Sequence, residues 1–143
     1  MVLQRVKEAS VTVDDRVIAS IAKGLFLLVG IEKGDNEIIA ERIAGKIARL
    51  RVFEDINGKM NLDIRQVAGE VLSVSQFTLA GDISKGNRPG FDNAETSQEA
   101  KKLWRRFNDV LVDIGISVGF GEFGAHMEVG MVGDGPVTFI VSS

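Results

Sequence analysis

No cysteine occurs among the 143 residues, which excludes disulfides, thiolate nucleophiles and cysteine-held metals. That absence suits a reducing compartment. Histidine occurs once, so two-histidine metal sites are impossible and any Ser-His-Asp relay would depend on His126 alone. His126 sits in EFGAHMEVG with nothing nearby in sequence to complete a relay, and it is not read as catalytic. The acidic residues Glu32, Asp35, Glu54, Asp55 and Asp134 lack metal-ligand spacing, so neither a metal nor another cofactor is expected. Long apolar runs are missing as well. GLFLLVGI is far too short to cross a bilayer, and MVLQRVKEAS has no secretory apolar region. The expectation is a cytoplasmic protein with no membrane partner. A surplus of positive charge is also lacking. The net charge of −3 argues against coating nucleic acid through charge alone, and no DNA partner is expected; a local basic patch remains compatible with it.

A hydrophobic content of 45% with 26% charged residues belongs to an ordinary globular chain, and the length suits one domain over 1–143. Residues 2–6 and 10–21 read as strands, with a hairpin turning at Asp14-Asp15. The run 24–31 reads as a strand buried on both faces. A helix follows in GDNEIIAERIAGKIARL, capped by Asp35 or Asn36, with Ile39, Ile43, Ile47 and Leu50 on one stripe. RVF is a short strand and Asn57-Gly58 a tight turn. The segment 69–81 reads as another strand, and DISKGNRPGF as a polar loop. Thr96 and Glu99 form a capping box for a second helix that Gly115 ends. Strands at 116–120, 127–132 and 137–142 close the chain. The predicted class is α+β: a single domain with a largely antiparallel, barrel-like sheet and two main helices.

Polar residues stand where such a strand should be apolar. In 69–81, alternation puts Val74, Gln76 and Thr78 on one face and Ser75, Phe77 and Leu79 on the other. Either the strand leaves the core here, or its end lines a pocket whose backbone N–H groups form an oxyanion site. SKGNRPGF joins Lys85 and Arg88 to Phe91, with Lys101, Lys102, Arg105 and Arg106 not far on. These are a solvated surface or a phosphate-contacting patch. Gly135-Pro136 contains one of only two prolines, at the entry to the last strand. A strand's first residue tolerates proline, and X-Pro bonds accept the cis form far more readily than others.

Seven stretches occur in the order found in one family: QRVKEASVTVD, GLFLLVGIEKGD, RVFEDINGKMNL, VSQFTLAGD, KGNRPGF, FGAHM and DGPVTF. The chain resembles the D-aminoacyl-tRNA deacylases, also called D-tyrosyl-tRNA deacylases, over essentially its whole length. SQFTL and GPVT are the two signatures. The resemblance implies hydrolysis of the ester joining a D-amino acid to the 3′ ribose of tRNA, with glycyl esters also accepted. It implies a homodimer in which a cis Gly135–Pro136 of each subunit enters the other's site and excludes L side chains. Ser75, Gln76, Phe77 and Thr78 are the implied catalytic residues. Phe77 and Thr78 would act through backbone N–H groups, with the ribose 2′-OH assisting; a Thr78 nucleophile is the other mechanism. Gly135, Pro136, Val137, Thr138 and Met127 are the implied substrate contacts, and Lys85 and Arg88 the implied tRNA contacts. A non-catalytic binder of the tRNA acceptor end is the alternative function. The family pattern is not followed at Asn87, Gly90, Phe120, Glu122, His126 or Gly133.

Overall fold

The computed structural model describes residues 1–84 and 86–142. β1 (Val2–Val13) and β2 (Arg16–Ile21) form the expected hairpin, with Asp14 and Asp15 both at positive φ, the conformation a two-residue hairpin turn demands. β1 is one continuous strand, although Lys7-Glu8 reads as a break in its pattern. At that exposed charged pair β1 changes neighbours. Val2–Val6 pair with β3 (Gly24–Val29), whereas residues 9–13 pair with β2.

The other edge of β1 pairs with β8 (Glu128–Ile140), which is likewise one bulged strand where separate pieces were expected. α1 (Glu37–Ala48) leads from β3 towards the small ribbon of β4 (Phe53–Glu54) and β5 (Met60–Leu62). β6 (Glu70–Ser75) then returns parallel to β3. α2 (Ser97–Asp113) connects β6 to β7 (Ser117–Phe120), again parallel. Helical crossovers of this kind are what parallel neighbours require. The main sheet runs β2-β1-β3-β6-β7 with β8 on β1. It curls until Gly119 of β7 faces Ala19 and Ile21 of β2; a Cβ there would lie 3.5 Å from the Ala19 methyl. The α+β, barrel-like expectation holds, with the parallel triplet as the element that alternation could not reveal.

Two apolar clusters follow from strand alternation. Leu3, Leu25, Leu27 and Val71 face the helices, where they meet Ile43, Ile47, Leu103 and Phe107. Val6, Val11, Phe26, Leu72 and Val74 fill the curl of the sheet. The Asn36 side chain caps α1 by accepting from the Ile39 N–H at 3.0 Å, while Asp35 accepts from the Glu32 N–H. Thr96 caps α2, yet the capping box is only half formed, because the Thr96 N–H donates to Glu95. Gly115, at φ +94, ends that helix as expected.

β6 is held from two sides. The buried Trp104 indole N–H of α2 donates to Ser73 Oγ at 3.0 Å. On the other side Gly24 lets β3 approach so closely that a Cβ would stand 1.8 Å from the Glu70 carbonyl oxygen. Gly24→Ala should therefore force the parallel ladder apart and cost about 3 kcal/mol. Denaturant unfolding with an unchanged midpoint would contradict this.

Candidate active site

β6 stops at Ser75 because its partner stops at Val29. The Gln76 N–H still donates to the Val29 carbonyl at 2.8 Å, and the chain then folds into a 3-10 turn, Phe77–Ala80. The strand expected to run to residue 81 ends here. Leu79 packs on Gly30 instead of continuing the alternation; a Cβ on Gly30 would meet Leu79 Cβ at 3.0 Å. As the first residues of the turn, Phe77 and Thr78 carry N–H groups with no acceptor inside it.

Ser75, Gln76 and Phe77 line a cavity of about 490 Å³ whose far wall comes from 123–127, between β7 and β8. Met127 lies in that wall. Thr78 is exposed beside the cavity, and its hydroxyl accepts from the Gln76 carboxamide. Phe91 meets the Phe77 ring edge-on at 5.0 Å, and reciprocal backbone bonds between Asp82 and Gly90 close the intervening loop. The Ser84 hydroxyl and N–H hold the Asp82 carboxyl below its usual range. Arg88 is exposed on this loop; Lys85 lies outside the described residues.

His126, Glu95 and Ser97 also line the cavity. Sequence spacing did not bring Glu95 or Ser97 to the site, since they arrive from the start of α2. Among the described residues no cluster of three His, Cys, Asp or Glu side chains could hold a metal ion. The basic residues of α2 divide. The Lys102 ammonium bonds Glu37 at 3.0 Å and the Arg106 guanidinium bonds Glu41 at 2.6 Å, raising the pKa of both cations. They tie the helices together, whereas Lys101 stands over the Phe123 ring at 5.9 Å.

Gly135 and Pro136 sit elsewhere. Gly133 pairs with Val6 and Thr138 with Gln4, so 134–137 bulge opposite Arg5 alone. The Gly135–Pro136 bond is cis, and Gly135 has φ +131. Val137 is buried beneath the bulge, and Thr138 accepts a long bond from the Gln4 side chain at 3.4 Å. Arg5, 4% exposed, holds the bulge. Its Nε donates to Asp134 O at 3.2 Å and lies 3.1 Å from the Asp134 carboxylate, while Nη1 donates to Val52 O at 2.7 Å. Arg5 pairs with Leu25, and Leu25 with Val71, on the strand that ends in Ser75. Along the sheet the bulge is thus about 14 Å across and about 13 Å down from Ser75.

Replacing Arg5 by Met should cost about 2–3 kcal/mol, the value of charge-assisted bonds to buried carbonyls. The measurement is the chemical denaturation midpoint, together with hydrogen exchange at Val137, which should accelerate.

The family described as D-Tyr-tRNA(Tyr) deacylase matches residues 2–142. A protein of Geobacter metallireducens (strain ATCC 53774 / DSM 7210 / GS-15) named D-aminoacyl-tRNA deacylase is 52% identical, over 99% of this chain and 94% of the relative. A protein of the same name from Staphylococcus aureus (strain bovine RF122 / ET3-1) is 54% identical, over 100% of this chain and 95% of the relative. A solved structure named c-Myc DNA Unwinding Element Binding Protein superposes with a TM-score of 0.94 at 39% identity, covering 99% of this chain and 97% of the other. A probable eukaryotic D-amino acid tRNA deacylase shares the fold, with a TM-score of 0.84 at 16% identity over 96% of this chain and 95% of the other. The chain belongs to the D-Tyr-tRNA(Tyr) deacylase family.

Proposed function

We propose that this chain hydrolyses the ester of D-aminoacyl-tRNA, releasing the free D-amino acid and tRNA, and that it acts on glycyl esters as well. The observation that carries the reading is the 3-10 turn after β6. It leaves the Phe77 and Thr78 N–H groups without partners inside the turn, beside a cavity whose volume of about 490 Å³ falls in the range of small-molecule sites. Two such donors match the oxygen that gains negative charge when water attacks an ester carbonyl. Gln76 and Ser75 orient the ester, and the neighbouring ribose 2′-OH assists proton movement. The RNA thereby supplies the polar group that the protein's composition withholds.

Discrimination against L esters is assigned to the Gly135 and Pro136 carbonyls of a second copy. Two features support a homodimer acting in trans. The bulge lies too far along the sheet to serve its own cavity. In addition, Val129, Met131, Val132, Phe139 and Ile140 of β8 are large apolar side chains left exposed along the strand, which another copy would cover. Arg88 contacts the RNA backbone in this reading, and Lys85 is assigned the same role from the sequence alone.

Incubation with D- and L-aminoacyl-tRNA tests the reading: selective release of the D-amino acid is expected, whereas binding without turnover would leave only an acceptor-end binder. Thr78→Ala should lose less than about tenfold in rate, because removal of a true nucleophile costs on the order of 10⁶. Abolished turnover in a folded Thr78→Ala enzyme would assign the chemistry to the hydroxyl. At Gly135 an added Cβ would lie 2.7 Å from Val137 Cγ2 and 2.8 Å from its nitrogen. Gly135→Ala should accordingly displace the carbonyls and lower the ratio of D- to L-ester rates by more than about tenfold, since a shift of an ångström undoes such a geometric filter. An unaltered D/L ratio and rate would remove the bulge from the mechanism.

A further inference from the structure

α2, β7 and the segment that follows enclose a second cavity, of about 480 Å³, which shares Phe123 with the first. Its lining is rich in aromatic rings. Trp104 meets Phe120 edge-on at 6.3 Å and Phe123 at 5.9 Å, and Phe120 leaves 42% of its surface open. Asn108 of α2 also lines this cavity. It is only 2% exposed, yet neither its Nδ2 nor its Oδ1 has a hydrogen-bond partner among the described residues. Buried amides are rarely left unmet, and leucine would fill the same place on the apolar face of α2 without the penalty.

Charge does not account for the cavity. Lys101 and Arg105 are matched by Asp109 and Glu122 in the same lining, so it makes a poor anion trap. Aromatic faces beside a group that both donates and accepts are the means by which proteins hold an unstacked base and read its edge. We infer that this cavity takes the base of the nucleotide preceding the terminal adenosine of an RNA acceptor strand. Phe120 and Phe123 offer stacking surface, and the Asn108 carboxamide pairs with the base edge. The inference rests on the reading of the adjoining cavity as the site of the aminoacylated terminus.

Trp104 is the only tryptophan, so its fluorescence reports on this cavity. The test compares calorimetric titrations of uncharged CCA trinucleotide and of adenosine, with Trp104 emission followed alongside. Wild-type protein should bind the trinucleotide more tightly than adenosine and change its emission only with the trinucleotide. Phe120→Ala and Asn108→Leu should each weaken trinucleotide binding about tenfold, the scale of one lost base contact, and leave adenosine binding unchanged. Equal affinity of the wild type for both ligands, or trinucleotide affinity unchanged in the variants, overturns the inference. Phe120 is partly exposed, so its variant keeps the test decisive even where Asn108→Leu fails to fold. Because neither ligand is acylated, these titrations read the cavity independently of turnover. An active deacylase indifferent to the penultimate base sinks this inference alone, whereas tight trinucleotide binding without ester hydrolysis sinks only the deacylase reading.

Discussion

A guanidinium taken out of water has to be met by acceptors, and Arg5 meets its own with main-chain oxygens from two distant segments. The Val52 carbonyl lies just before the β4–β5 ribbon, and the Asp134 carbonyl opens the bulge in β8. The Glu54 carboxylate stands 3.5 Å away but is 57% exposed, where ion pairs contribute little. The two carbonyl bonds therefore outweigh it. Through them a residue of the first strand dictates where the chain at 134–137 departs from the ladder, and Gly135-Pro136 inherits a fixed position from a side chain remote in sequence.

The cavity beside Ser75 depends on a different constraint, the matched lengths of β3 and β6. Their parallel register ends at Val29 and Ser75 together, so the main chain beyond has no neighbour to pair with. A tight turn satisfies part of its hydrogen bonding internally and leaves its leading N–H groups free. The Trp104–Ser73 bond fixes the depth of β6 beneath α2, and α2 brings Glu95, Ser97 and Ala100 to the same cavity from its own beginning. Sheet and helix thus converge on one spot from opposite sides, which keeps the site on rigid elements.

Much of this was legible in the sequence. Capping residues, the Asp14-Asp15 hairpin, the doubly buried strand from Gly24, which ends at Val29 rather than at 31, and the terminating Gly115 all act through local chemistry, and local chemistry is what a sequence displays. The SQFTL and GPVT stretches stand out in the sequence, although they read there as part of a strand and the entry to one rather than as a turn and a bulge. What stayed hidden depends on partners far along the chain. Lys7-Glu8 looks like an interruption until β8 is seen pairing past it, and 133–136 look like a gap between two strands until Gly133 is seen pairing with Val6. Phe77 and Leu79 alternate like strand residues, and only the missing neighbour beyond Val29 turns them into a helical turn. Asn108 sits on an apolar helical face with nothing in the local pattern to mark its unmet amide.

The outer margin of β8 has a further consequence. Among the described residues it pairs with β1 only, so a long run of backbone groups lies at the boundary of the sheet. Such margins invite chains to stack into fibrous aggregates. Here Pro136 supplies no donor, and the outward excursion around it breaks the run into two shorter lengths, neither able to template a continuous ladder. The same dipeptide therefore keeps the free margin of the sheet from recruiting a further strand.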